Sequence, residues 1–237
     1  MRKLTLIHIA VNAILLWLAY YWLGVGESRA LTLVWSLVVT LAAVSLACVQ
    51  YGAVFAWFRN EARPWRTAAR HLAPLVVAAV AVATLYLLFA RWADYSAKPA
   101  NAIASWLTLT IRKPVHPATV LGIFNVVLWL VRWVVAPVLA LPMVAAIAAV
   151  GWRGFRAIGA GSRKWLYWLE VPLVLLCGLW LPLKLLGWVP HFEGFGWQML
   201  SFVTRAALAF ALFAAAGLAL GFVTAGPKPG GAKAAAA

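Results

Sequence analysis

Residues 31–57 read LTLVWSLVVTLAAVSLACVQYGAVFAW, with no charged side chain from Leu31 to Trp57. A bilayer core about 30 Å thick is crossed by roughly 20 residues of helix rising about 1.5 Å each, so this run is long enough to span it. Lipid offers the backbone no hydrogen-bond partners, which forces the run into a helix. It also lacks the two-residue alternation of a barrel strand. Arg29 precedes the run, and a loop carrying Arg59, Arg63, Arg66 and Arg70 follows it, where Pro64 stops the helix.

The same pattern recurs along the chain. Apolar runs cover residues 4–23, 31–57, 72–90, 133–152, 165–185 and 199–224. They predict an all-α polytopic transmembrane bundle of about six spans in a single domain, residues 1–225, followed by a disordered cytoplasmic tail over 226–237. The first run is longer than a signal-peptide core and contains His8, Asn12 and the bulky end Tyr20, Tyr21 and Trp22, so it reads as an uncleaved span. Composition agrees: 66% of residues are hydrophobic, 11% are charged and the mean hydropathy is +0.93, values far from those of soluble domains.

The region between spans three and four is irregular. Lys98, Pro99, Arg112, Lys113, Pro114 and Pro117 frame a stretch, Ala100 to Ile111, that is too short to cross a bilayer. Residues 100–131 are therefore read as interfacial or re-entrant. From Val120 to Trp152 the chain stays apolar for longer than one span needs. A break before Trp133 would leave Arg132 near the water interface, where its stem can snorkel; a single long kinked helix is the other reading.

Charge sets the orientation. Twelve of the 20 Lys and Arg flank one side: Arg2 and Lys3, the Arg59–Arg70 loop, the loop with Arg153, Arg156, Arg163 and Lys164, and Lys228 with Lys233. That side is expected to be the cytoplasm of a prokaryotic inner membrane, with both termini there. Trp57, Trp65, Trp152, Trp165 and Trp168 mark the same boundary, while Trp22, Trp92, Trp106, Trp188 and Trp197 mark the other. The net charge of +15 does not point to nucleic acid, because the basic residues sit in short clusters between spans and build no soluble basic face.

The spans also divide into three helical hairpins, with an isolated arginine near the start of every second helix: Arg29, Arg132 and Arg205. Intramembrane polar residues are functional candidates, and these are Glu170, Arg132, Arg205 and Asn125. Glu170 is placed one to two turns inside span five, where it needs a basic partner such as Arg66 or Arg163, or access to water. Four histidines lie two near each surface, His8 and His71 against His116 and His191, the arrangement a transmembrane dihaem carrier would require. Three of them sit at span ends or in loops, and no zinc-ligand spacing is present, so no cofactor or metal is expected. Asp94 is the only aspartate and lies in a loop, Ser36 and Ser45 lack a neighbouring base, and Gly159-Ala160-Gly161 follows no strand. Catalysis therefore has no legible motif. Cys48 and Cys177 both fall within apolar runs and carry no redox signal.

Span six carries Ala207, Ala211, Ala215 and Ala219 at intervals of one turn, with Gly217 and Gly221 alongside. Small residues in a stripe let helices approach closely, within the bundle or towards a partner. The expected function is that of a non-enzymatic membrane subunit or scaffold acting through helix packing, its partners the bilayer and a membrane protein or a second copy. A small transporter using Glu170 with Arg132 or Arg205 is the alternative, and a haem-binding electron carrier a third reading.

Overall fold

The computed structural model describes residues 2–26, 28–190 and 193–225 and has no strand among them. Helix α1 covers Arg2–Leu23 and α2 Ala30–Phe58; the short α3, Pro64–Arg70, leads into α4, Leu72–Tyr95. Helix α5 is Ala97–Ile111 and α6 is Pro117–Leu130. A π turn at Val131–Val135 joins α6 to α7, Ala136–Val150. After two 3-10 turns come α8, Tyr167–Leu175, a second π turn at Leu176–Trp180, α9, Leu181–Gly187, and α10, Phe195–Ala225. Among the described residues six helical runs are long and apolar enough to cross a membrane, and the protein is an all-α, multi-pass membrane bundle.

The break expected before Trp133 is absent. The chain runs as helix from Pro117 through Val150, and the perturbation there is a widened turn. Its cause is Pro137, which has no N–H and whose ring would strike the carbonyl four residues earlier. Inserting a residue into the turn moves that carbonyl away, and Ala136 N–H bonds instead to Val131 O, five residues back. The second π turn repeats the device before Pro182, with Leu181 N–H bonded to Leu176 O. The stretch from Ala100 to Ile111 lies in α5, which continues from α4 through Ser96 and packs along α6 through Ala100, Ala104 and Val120. Residues 100–131 are thus the outer parts of two packed helices, and the span expected at 133–152 starts earlier.

Consecutive spans pack as hairpins, α1 with α2, α4 with α6 and α7, and α8 and α9 with α10. The end of the bundle that holds the start of α1, the end of α2, the start of α8 and the end of α10 also holds the basic loops; it is called the basic end below. Burial concentrates towards it. Gly52, Ala53, Val54, Phe55 and Ala56 of α2 are buried, and α2 touches α1, α4, α7 and α10. Phe55, Leu75, Ala78, Met143 and Ile147 form the largest core cluster. By contrast, Leu31, Val34 and Leu37 at the far end of the same helix are exposed, as lipid-facing residues are.

Glycine admits the closest approaches. Gly151 ends α7 at φ 65°, and a Cβ there would lie 2.6 Å from His71 Nδ1. Gly178, in the second π turn, lies against Ala216 of α10, and a Cβ on it would overlap the Ala216 Cβ. Gly178→Ala is expected to lower the thermal midpoint in detergent by an overpacking cost of about 1–3 kcal/mol. Adding Ala216→Gly should restore much of the loss; an unchanged midpoint for Gly178→Ala alone would show that the two helices are not in contact there.

Candidate functional site

The polar groups that the bundle does bring together sit where α1, α2 and α10 meet near the basic end. His8 and Asn12 are one turn apart and share a face of α1. Both are buried, as is Gln50 of α2, while Tyr51 is half-buried. The Gln50 side-chain N–H donates to His8 Nδ1 at 2.6 Å, and His8 Nε2 lies 3.1 Å from Ala214 O of α10. A carbonyl accepts, so Nε2 carries the proton and the imidazole is neutral, a tautomer assigned by the network. Asn12 Nδ2 donates to His8 O at 2.8 Å, and Tyr51 O–H donates to Asn12 Oδ1 at 3.0 Å. The Tyr51 ring stands edge-on to the imidazole, centroids 5.6 Å apart.

Glycine again sets the distance. A Cβ at Gly217 would come 3.0 Å from His8 Nε2 and 2.9 Å from Tyr51 Cε1, and one at Gly221 would meet Val54 and Phe58 at 2.7 Å. Gly217 and Gly221 are therefore packing residues within the chain. Ala207, Ala211 and Ala215 face outward, and Ala219 is half-buried. One acceptor in the knot, Gln50 Oε1, is buried without a partner. A cleft of about 420 Å³ lined by Asn12, Tyr51 and apolar residues such as Leu15, Val44 and Phe213 opens beside it.

The four intramembrane candidates are not brought together. Arg132 lies in the first π turn, its guanidinium carbon 5.6 Å from the centre of the Tyr86 ring, and Tyr86 O–H donates to Arg132 O at 2.7 Å. A desolvated cation over an aromatic face is held electrostatically. Its Nε is nonetheless buried without an acceptor. Arg205 bonds Ser201 O and Leu185 O, both at 3.2 Å, and also Trp188 O. It thereby covers the last carbonyls of α9 with positive charge, a capping role. Asn125 is exposed on α6 and makes no hydrogen bond among the described residues.

Glu170 falls in the first turn of α8, because that helix starts at Tyr167. An acidic side chain in the first turn of a helix interacts favourably with the helix N-terminus. Glu170 is exposed and has no ion pair among the described residues, so the expected pairing with Arg66 or Arg163 is not formed. Instead it lines a cleft with Arg59, Lys164 and Tyr167.

His71 caps the start of α4 and lies against Gly151, and His116 precedes Pro117 at the start of α6. His191 lies outside the described residues. His8 uses both ring nitrogens on protein partners, leaving neither free for an axial position. Among the described residues no three His, Cys, Asp or Glu side chains gather as metal ligands would. The three arginines expected at equivalent hairpin positions play three different parts: Arg29 precedes α2 at an exposed turn, Arg132 lies over a ring and Arg205 caps a helix.

Sequence reasoning passed over Gln50 and Tyr51. The available signal was an amide and a phenol side by side in an otherwise apolar run. No family model matches the chain, and neither a curated protein nor a solved structure matches it.

The knot acts as a lock between three helices. Gln50→Leu removes the donor to Nδ1 and should lower bundle stability by about 1–3 kcal/mol, with His8→Leu costing at least as much. The double variant should lose clearly less than the two single losses added, as bonded neighbours do. Strict additivity in detergent unfolding would dissolve the lock.

Proposed function

We propose that this chain is a non-enzymatic subunit of a prokaryotic inner membrane, that it works by lateral helix packing, and that its basic end faces the cytoplasm. The observation that carries this reading is an unfilled seam on α6. Ala118, Gly122, Asn125 and Trp129 follow the alternating spacing of a coiled-coil seam, and all four are exposed. A Cβ at Gly122 would meet nothing within 4 Å. The opposite side of the helix, Val120, is buried on α5. Beside the seam Ile123, Val126 and Leu130 are exposed apolar residues, so Asn125 is an amide set in a surface suited to lipid.

Small residues let a second helix approach, and an amide gives it a hydrogen bond that lipid cannot offer. Asn offers both donor and acceptor groups, so two copies related by a two-fold axis satisfy each other. A second copy is therefore the partner assigned to this seam. The outward alanines of α10 offer a further lateral face. The transport alternative, which needs Glu170 with Arg132 or Arg205, gains little, since Glu170 lines the basic-end cleft, Arg132 lies over Tyr86 and Arg205 bonds carbonyls at the end of α9. The orientation rests on the excess of basic residues beside one membrane face.

The test uses a chain in which Cys48 and Cys177 are alanine and cysteine replaces Gly122 or Asn125. Oxidation in native membranes should give a product of twice the 25.7 kDa chain mass, and Asn125→Leu should reduce dimer formation by a cysteine at Gly122. A product with a different transmembrane protein keeps the subunit reading and replaces the copy. No product from either position overturns it. In the same background, a cysteine at Gly159 should react with an impermeant thiol reagent only after the cells are opened; labelling of intact cells contradicts the orientation.

A further inference from the structure

The second polar feature of the basic end is a cleft of about 520 Å³ between the ends of α2 and α10 and the start of α8, within the roughly 300–1,000 Å³ of small-molecule sites. Three of its groups lack partners. Tyr167 is one of the lining residues, is only 6% exposed, and its hydroxyl oxygen is buried without a hydrogen bond. Arg59 follows the last turn of α2 half-buried, and its guanidinium makes no hydrogen bond or ion pair among the described residues. Glu170, on the same cleft, makes none either.

An orphaned buried donor is costly, and the Tyr167 hydroxyl is one; the half-buried guanidinium of Arg59, also without a protein partner, is near enough to interact with it electrostatically. Burial pulls the Arg59 pKa down, opposed by Tyr167 and Glu61 nearby, but a guanidinium stays protonated throughout the physiological range. Lys164 adds a second, exposed cation at the rim. An anion with several acceptor oxygens would satisfy Arg59, Lys164 and Tyr167 together. Glu170 then asks for the opposite charge.

The mixture of charges narrows the guest. Arg59 and Lys164 share the cleft with Glu170, so it favours a ligand that carries both a negative and a positive charge. Trp165, Leu166 and Val223 make the remaining wall apolar. We propose that this cleft binds a phosphate–ammonium zwitterion of the phosphoethanolamine type, with the phosphodiester on Arg59, Lys164 and Tyr167 and the primary ammonium on Glu170. The headgroup of a membrane phospholipid and a water-soluble glycerophospho-ethanolamine share this chemistry. The site is independent of the α6 seam and stands or falls apart from it.

The experiment is a melting-temperature titration of the full chain in detergent against short-chain phosphatidylethanolamine, phosphatidylcholine and phosphatidylglycerol, and against free glycerophosphoethanolamine. The ethanolamine lipid should raise the midpoint saturably and at lower concentration than the other two lipids, since a trimethylammonium cannot donate to Glu170 and glycerol carries no cation. If the free headgroup acts at the same concentration as the lipid, the soluble molecule is the guest; if it acts only at far higher concentration, the lipid is.

Two variants separate binding from folding. Tyr167→Phe removes a hydroxyl that no protein group bonds, so the ligand-free midpoint should not fall, while apparent affinity drops about tenfold or more. Glu170→Gln should abolish the preference for ethanolamine over glycerol while retaining some response to both. Equal shifts from all three lipids, or a Tyr167→Phe chain that responds as the parent does, would overturn the proposal, as would no shift with any ligand.

Discussion

A polar group held in an apolar slab must find its partner inside the protein or go without, and the side chains of this bundle sort themselves by that constraint. Backbone groups meet it by helix formation, which fixes the class of fold. Among side chains, His8, Asn12, Tyr51, Arg205 and the amide N–H of Gln50 meet it with groups on other helices, while Gln50 Oε1 is left without a partner. These bonds lie where the helices are closest and where glycine removes the Cβ that would hold them apart. Packing and polar satisfaction are therefore one arrangement: Gly217 brings α10 close enough for Ala214 O to reach the imidazole.

The residues that do not meet the constraint internally are the informative ones. Asn125 is unpartnered on a lipid-type surface, and Tyr167, Arg59 and Glu170 are unpartnered around a cleft. The two sets differ in shape, one a flat helical seam suited to another helix and the other a concavity suited to a headgroup. Both proposals follow from reading each unmet group by the geometry around it. Arg132 is the intermediate case, its guanidinium held over the Tyr86 ring while its Nε is buried without an acceptor.

Much of the fold was legible because span length and apolarity are set by the solvent, and each of the six expected spans corresponds to a helical run. The region from Arg91 to Trp133 was the hard part. Proline normally signals a break, but a π turn absorbs the clash at Pro137 without ending the helix, and nothing in the local composition distinguishes the two outcomes. The start of helix α8 at Tyr167 rather than at Trp165, where the apolar run begins, puts Glu170 in the first turn of that helix, a boundary that apolarity alone does not mark. The polar knot was half legible: His8 and Asn12 were visible as polar residues in a span, but Gln50 and Tyr51 acquire meaning only when α2 lies beside α1. The stripe of alanines is small and regular in the sequence itself. Which way it faced was not in the sequence, since the adjoining glycines are what turn inward.

The central claim is that the α6 seam pairs two copies in the membrane. Counting photobleaching steps of singly labelled chains, reconstituted at low density in lipid vesicles, tests it without cross-linking. The account requires mostly two-step traces for the parent chain and mostly one-step traces when Asn125 is replaced by Leu. One-step traces for the parent, at densities where its fold is intact, would contradict it.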